Sequence, residues 1–234
     1  MNLQSIDNGN SHPHVGLFKD SKLISVTPLS EYHFDSDIAA IASSVGKKSN
    51  LQGINYIELS KYRGDSNFLD MSVSYERTLG EDRLHQAYYI YKRSDALKSL
   101  LIDAGTFTTV DFIDSTGFKG GFIFPGLRTQ LNSYGSGANL PILNDVEDLN
   151  LFDSLPNSTS SAITSALKFS QISWLEKLLK DYEIDQIYIS GGFSSLFYTA
   201  AKEIFRGKII HEKNLIHYAL YEIYSYINED KLNE

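Results

Sequence analysis

Short apolar runs alternate with amphipathic stretches along the whole chain, the pattern of an α/β architecture with mixed sheets. Residues 15–18 and 23–26 read as strands on either side of a turn at 19–21. Residues 35–45 read as a helix and 55–59 as a strand. Leu84, Ala87, Tyr88 and Tyr91 recur at i, i+3, i+4 and i+7, which sets one face of a helix. Residues 99–103 and 108–114 read as buried strands, 159–180 as a long helix, 186–190 as a strand and 194–205 as a helix. An apolar stripe of Ile216, Ala219, Leu220, Ile223 and Ile227 marks a final helix. Residues 133–161 are rich in Gly, Asn, Ser and Asp and lack periodicity; they read as a long surface connection with a short helical piece.

The chain echoes itself. Ile6-Asp7-Asn8-Gly9-Asn10-Ser11 precedes the apolar run at 15–18, and Ile102-Asp103-Ala104-Gly105-Thr106 precedes Thr108-Thr109-Val110-Asp111-Phe112. Each copy is a strand ending in Asp-x-Gly and a polar residue, turning directly into another strand. The repeat suggests a duplicated lobe, with one domain at 1–98 and a second at 99–234.

Composition narrows the function. Of 234 residues 42% are hydrophobic and 21% charged, enough to bury a core and too apolar for a disordered chain. Lys and Arg number 21 against 29 Asp and Glu, a net charge of −8. That argues against a general nucleic-acid binder, which needs a cationic face for phosphates, and against a polybasic membrane-surface protein. With no cysteine, disulfides, zinc–cysteine sites, iron–sulfur clusters and thiol nucleophiles are excluded. No apolar run approaches the roughly 18 residues of a membrane helix, and the N-terminal residues lack a signal-peptide layout. The expectation is a soluble cytoplasmic protein.

Several familiar sites are missing. Gly46-Lys47 has Ile41 where a P-loop needs its first glycine, and the dinucleotide, zincin and nucleophile-elbow motifs do not occur. The two Asp-x-Gly turns offer another way to hold phosphate. Glycine admits close backbone approach, and turn N–H groups with Asn, Ser or Thr side chains supply donors. Asp7 and Asp103 beside such turns make sense if they hold a cation that phosphate also needs. The bland alternative is that each merely caps its turn. Leu79-Gly80-Glu81-Asp82-Arg83 opens the helix that carries Tyr88. Carboxylates there complement the helix dipole, yet an Asp–Arg pair also equips a site to accept a hydroxyl proton and grip an acid or amide oxygen. His12 and His14 lack a visible third metal ligand, Lys47 and Lys48 read as a solvated loop end, and the many tyrosines read as packing.

Together these segments resemble type III pantothenate kinase. The resemblance rests on five motifs in matching order: Asp7-x-Gly9-Asn10-Ser11; Leu79-Gly80-Glu81-Asp82-Arg83; residues 102–111 around Asp103-Ala104-Gly105-Thr106; Gly117-Phe118-x-Gly120-Gly121-x-Ile123-x-Pro125-Gly126; and Ser190-Gly191-Gly192. It implies an actin-like ATPase fold of two duplicated ribonuclease-H-like lobes with an interlobe cleft, in the acetate/sugar kinase, Hsp70 and actin superfamily. It further implies ATP-dependent phosphorylation of pantothenate, the first step of coenzyme A synthesis, by a homodimer that needs Mg²⁺ and a monovalent cation, K⁺ or NH₄⁺.

Carried over by position, Asp7, Asn8, Gly9, Asn10, Ser11, His12, Pro13 and His14 form the first phosphate hairpin, with Asp7 near Mg²⁺. Thr106 is the hydroxyl of the second phosphate turn and Asp103 a K⁺ ligand. Tyr75, Gly80, Glu81, Asp82, Arg83 and Thr159 touch pantothenate, Asp82 being the proton acceptor. Gly191 and Gly192 lie along the adenosine. Phe107, Ala166 and Asn157-Ser158 depart from the family pattern. The competing readings are another small-molecule phosphotransferase of the superfamily and a non-catalytic accessory relative.

Overall fold

The computed structural model describes residues 1–136, 140–143, 146, 148–149 and 154–230. The chain forms two units, one of Met1–Asp95, Ile113–Gly120 and Asn214–Glu234, the other of Ala96–Phe112 and Gly121–Lys213.

The first unit begins with β1 (Leu3–Asn8), β2 (His14–Lys19) and β3 (Lys22–Pro28), followed by β4 (Ala40–Ser44) and β5 (Ile57–Glu58). They form one mixed sheet in the order β3-β2-β1-β4-β5. β1 is central and almost wholly buried, antiparallel to β2 with Asp7 opposite His14, and parallel to β4 with Asp7 opposite Ser43. The β2–β3 hairpin closes through Asp20 and Ser21, both at positive φ, where short polar residues tolerate the left-handed turn. One layer of the core gathers Ile6, Val15, Ala40, Ala42 and Leu51 under Tyr32, Phe34 and Tyr56. Two short strands, β6 (Asn67–Phe68) and β7 (Met71–Val73), precede α1 (Glu81–Arg93). Its inward face carries Leu84, Ala87 and Tyr88, as the periodicity requires.

One expected element is overturned. Residues 35–45 are not a helix: 35–38 are a turn and 40–44 are β4. The buried Gln4 side chain donates to the carbonyls of Asp35 and Ile38 and accepts from the Asp35 N–H, so this backbone is tied to β1 rather than to its own helical turns. The apolar residues Ala40, Ile41 and Ala42 lie in β4, a buried strand between β1 and β5, which periodicity alone does not separate from a buried helix. The strand expected at 55–59 shrinks to β5.

The second unit is built on β8 (Lys98–Ala104), β9 (Phe107–Asp114) and β10 (Gly117–Pro125), with α2 (Leu127–Gly135), α3 (Thr159–Asp181), β11 (Gln186–Ser190), α4 (Ser194–Ile204) and β12 (Lys208–His211). Its strands run in the order β12-β11-β8-β9-β10, with β8, β11 and β12 parallel. β10 starts in the first unit, where Gly117 and Phe118 pair with Ser72 and Val73 of β7. Leu100, Ile102, Val110, Ile187 and Ile189 from the sheet meet Ile163, Leu167, Leu175 and Phe197 from α3 and α4. Within the stretch expected as a long connection, residues 137–139, 144, 145, 147 and 150–153 lie outside the described residues; α2 precedes them.

The last helix, α5 (Leu215–Asp230), belongs to the first unit and packs on α1, β1 and β4. Tyr218 and Tyr221 cover Phe18, and Tyr226 meets Tyr88 edge-on. Tyr88, Tyr218, Tyr221 and Tyr226 are packing residues.

Candidate active site

In the first unit, β1 delivers Asp7 and Asn8 to the end of the sheet. The Asp7 carboxylate lies between the Gly9 turn and His14: Oδ2 is 3.5 Å from His14 Nε2, and a β-carbon on Gly9 would stand 3.7 Å from Oδ1. Asn8 is fully buried and faces the loop after β4. Its amide donates to Ser44 Oγ at 2.8 Å and to the Lys47 carbonyl, and its Oδ1 accepts from Asn50. The Asn8 carbonyl also takes the N–H of Gly46 at 2.7 Å. A β-carbon on Gly46 would come within 2.6 Å of the Gly9 carbonyl, so only glycine lets this loop close on the hairpin. Ser11 and His12 are exposed at the hairpin tip.

The same end of the sheet receives the start of α1. The Ser44 N–H donates to Glu81 Oε2 at 2.8 Å, which ties the helix to β4. Glu81 is raised above the ordinary carboxylate range by burial, against the lowering effect of that hydrogen bond. Asp82 Oδ1 accepts the Arg83 N–H at 2.8 Å. Burial pushes the Asp82 carboxyl upward, and the Arg83 N–H and guanidinium oppose the rise without cancelling it. The buried Arg83 guanidinium lies 5.4 Å from the Tyr75 ring centre and 5.8 Å from that of Phe118, and these rings meet edge-on. Tyr75, Gly80, Glu81, Asp82 and Arg83 are therefore one cluster, a polar pair backed by an aromatic wall.

In the second unit, Asp103 lies one residue from the end of β8, opposite Ser190 of β11. Gly191 has φ of +89° and no room for a side chain: a β-carbon would lie 2.5 Å from Asp103 Oδ1 and 2.7 Å from the Ala104 carbonyl. Two oxygens thus crowd a glycine that also sits in the left-handed region. Gly192 borders open space. Thr106 is exposed at the next turn, whose backbone is braced by the Gly126 N–H and the Thr129 hydroxyl, both donating to the Thr106 carbonyl. Thr159 is exposed at the first turn of α3, behind Ser158, which caps the helix in a reciprocal box with Ser161. Ser158 thus starts α3 with a side-chain cap. Phe107 is largely exposed beside Thr106.

Gly46, Ser44 and the buried His217, whose ring approaches β2, were not signalled by any motif. A glycine inside the apolar run at 15–18 was the available sign of a close approach at Gly16. Among the described residues no group of three His, Asp or Glu side chains is arranged to hold a metal by itself, and no helix is long and apolar enough to cross a membrane.

The two mixed sheets have the fold of actin-like ATPases and sugar kinases. Solved structures with this fold include a candidate Baf family transcriptional activator from Campylobacter jejuni, at TM-score 0.66 and 21% identity over 98% of this chain and 100% of that one. A candidate 2-dehydro-3-deoxygalactonokinase from Sinorhizobium meliloti matches at TM-score 0.58 and 13% identity over 96% of each chain. The type III pantothenate kinase family model matches residues 56–181, and the chain belongs to that family. A curated type III pantothenate kinase from Campylobacter hominis is 27% identical over 199 residues, covering 84% of this chain and 85% of the relative.

Proposed function

We propose that this chain transfers the γ-phosphoryl group of ATP to the primary hydroxyl of pantothenate, giving 4'-phosphopantothenate, the first step of coenzyme A synthesis. The observation that carries the reading is the Asp82–Arg83–Tyr75 cluster at the start of α1, in a chain of the pantothenate kinase family.

Phosphoryl transfer passes through a loose transition state, so the protein mainly positions groups and balances charge. The pantothenate hydroxyl oxygen bonds to the γ-phosphorus, the bond to the bridging oxygen of ADP breaks, and Asp82 takes the hydroxyl proton. A carboxyl raised by burial is a stronger base than a solvated one and suits that role. Arg83 holds a carboxylate or amide oxygen of the acceptor, with Tyr75 and Phe118 keeping its fork in place. Turn N–H groups of the hairpin at residues 7–14 and the Thr106 hydroxyl hold phosphate oxygens, and Gly191 and Gly192 let the adenosine approach the backbone.

Mg²⁺ usually binds through one or two carboxylates together with substrate phosphates. Asp7, a single carboxylate beside a glycine turn, fits such a nucleotide-borne ion. Asp103 and the Ala104 carbonyl are oxygen donors that suit a monovalent cation such as K⁺. The proposal includes a homodimer working in the cytoplasm.

The test is an ADP-release assay with pantothenate, with and without K⁺. Turnover that requires both is expected. Asp82→Asn is expected to fold and bind ATP while losing about 10²–10⁴ in kcat; near-normal turnover would remove Asp82 as the base. Phosphorylation of a different hydroxyl acceptor would replace the substrate, and no turnover by a folded dimer would favour an accessory role.

A further inference from the structure

A buried hydrogen-bond chain runs behind the first hairpin. His217, on α5, is completely buried, with Nδ1 2.8 Å from Ser5 Oγ and Nε2 3.0 Å from His14 Nδ1. Ser5 Oγ donates to the Gly16 carbonyl at 3.0 Å. His14 Nε2 in turn faces Asp7 Oδ2. The slot is purpose-shaped: a β-carbon on Gly16 would fall 2.7 Å from the His217 ring and 2.7 Å from Ser5 Oγ. Glycine weakens a strand interior, and here it stands where an imidazole must lie against the backbone.

The direction of each proton follows from donor and acceptor chemistry. A carbonyl only accepts, so the single Ser5 hydroxyl proton goes to Gly16; otherwise two oxygens would face each other at 3.0 Å with no proton between them. Ser5 Oγ must then accept from His217, which places that ring's proton on Nδ1. Burial holds His217 at about 3, far below the ordinary histidine range, so the ring is neutral and Nε2 carries a lone pair. That lone pair accepts from His14 Nδ1–H. The Nε2 edge of His14 is thereby the edge presented to Asp7.

We propose that Ser5 and His217 are positioning residues for the first phosphate hairpin: they hold the His14 ring through its Nδ1–H, so that its Nε2 edge, an N–H donor when the imidazole is protonated, meets the Asp7 carboxylate. The inference rests on reading residues 7–14 as a phosphate hairpin. Its consequence is a preorganised hairpin, in which the orientation of Asp7 beside Gly9 is set before nucleotide arrives.

Two measurements on the full chain test it. Histidine ring ¹H–¹⁵N spectra, assigned with His217→Gln, are expected to show His217 protonated on Nδ1 alone; a proton on Nε2 would overturn the proposal. Calorimetry with Mg²⁺ and a non-hydrolysable ATP analogue separates positioning from bulk packing. His217→Leu is expected to weaken binding about tenfold, the size of one or two lost hydrogen bonds. His217→Gln, which donates to Ser5 and accepts from His14, is expected to recover most of that loss. If His217→Leu does not fold, Ser5→Ala serves, and is expected to give both His217 tautomers and weaker binding. Equal damage by Gln and Leu, unchanged binding in Ser5→Ala, or no nucleotide binding by the native chain would each overturn the inference. Nucleotide binding with these losses but no turnover on pantothenate would count against the substrate reading alone and support this one.

Discussion

Gly80 and Asp82 are fitted to each other: a β-carbon on Gly80 would stand 2.6 Å from Asp82 Oδ1 and 3.4 Å from Val45 Cγ1. The carboxylate folds back over the residue that caps its own helix, and only hydrogen leaves it room. Gly80 therefore sets where the proposed base points, in addition to freeing the backbone.

Gly80→Ala should displace the Asp82 carboxylate, since a side-chain tip yields more easily than the helix. Misplacing a reacting group by about 1 Å costs roughly 10² in rate. The expected result is a kcat lower by about that factor with the KM for ATP unchanged. Steady-state kinetics beside a thermal melt will separate this from unfolding; a kcat within twofold of the native value would refute it.

The pH profile of kcat/KM for pantothenate should carry an acid limb. Asp82 must be ionised to accept the proton, and burial raises it above its ordinary 3.8, so activity falls as pH drops through that raised value. The limb should appear at higher pH than a solvated aspartate gives. A profile flat down to the ordinary aspartate range would count against the assignment.

Acid should destabilise the fold through its buried histidines. His85 and His217 are both held near 3 by burial, whereas the unfolded chain binds protons near 6.5. Between these values the unfolded state carries the extra protons, so stability falls as pH falls. From pH 6.5 to 5 each contributes about 2 kcal/mol of loss at about 1.4 kcal/mol per unit. His85 packs on Phe68 and its Nδ1 has no hydrogen-bond partner among the described residues. His85→Leu should therefore remove its share of the pH slope in urea unfolding, and an unchanged slope would contradict the account.

Gly126→Ala should damage the second turn. Its β-carbon would fall 2.3 Å from the Gly105 carbonyl and 2.6 Å from that of Thr106, both backbone atoms. The turn must shift, and Thr106 with it. A raised KM for ATP with the pantothenate KM unchanged is expected; the reverse split would place Thr106 away from phosphate.

The sequence made the strand–turn–strand repeats legible because Asp-x-Gly leaves a local signature, and α1 and α3 because their periodicity is strong. Residues 35–45 carry no such signature: Gln4, on another strand, decides the backbone of residues 35–38, and no local pattern reports a distant amide. The cluster of Tyr75, Gly80, Glu81, Asp82 and Arg83 was visible as a motif, but Phe118 as the second face of the Arg83 stack was not. Asn8 shows the limit from the other side. It belongs to the hairpin motif by position, yet its side chain is engaged with Ser44, Lys47 and Asn50, partners that only β1–β4 pairing brings near. His217 lies about two hundred residues from Ser5 in sequence, beyond any spacing rule.

The return of α5 to the first unit has a consequence for biogenesis. Synthesis runs from the N-terminus at about 5–20 residues per second, and domains fold as units. The strands β1 to β5 emerge first, but the helix that covers Phe18 and fills the slot at Gly16 emerges only after the second unit. The first unit is thus the later one to be completed, although its chain appears earlier. Until α5 arrives, Phe18 and the slot at Gly16 lack the helix that covers them in the folded unit.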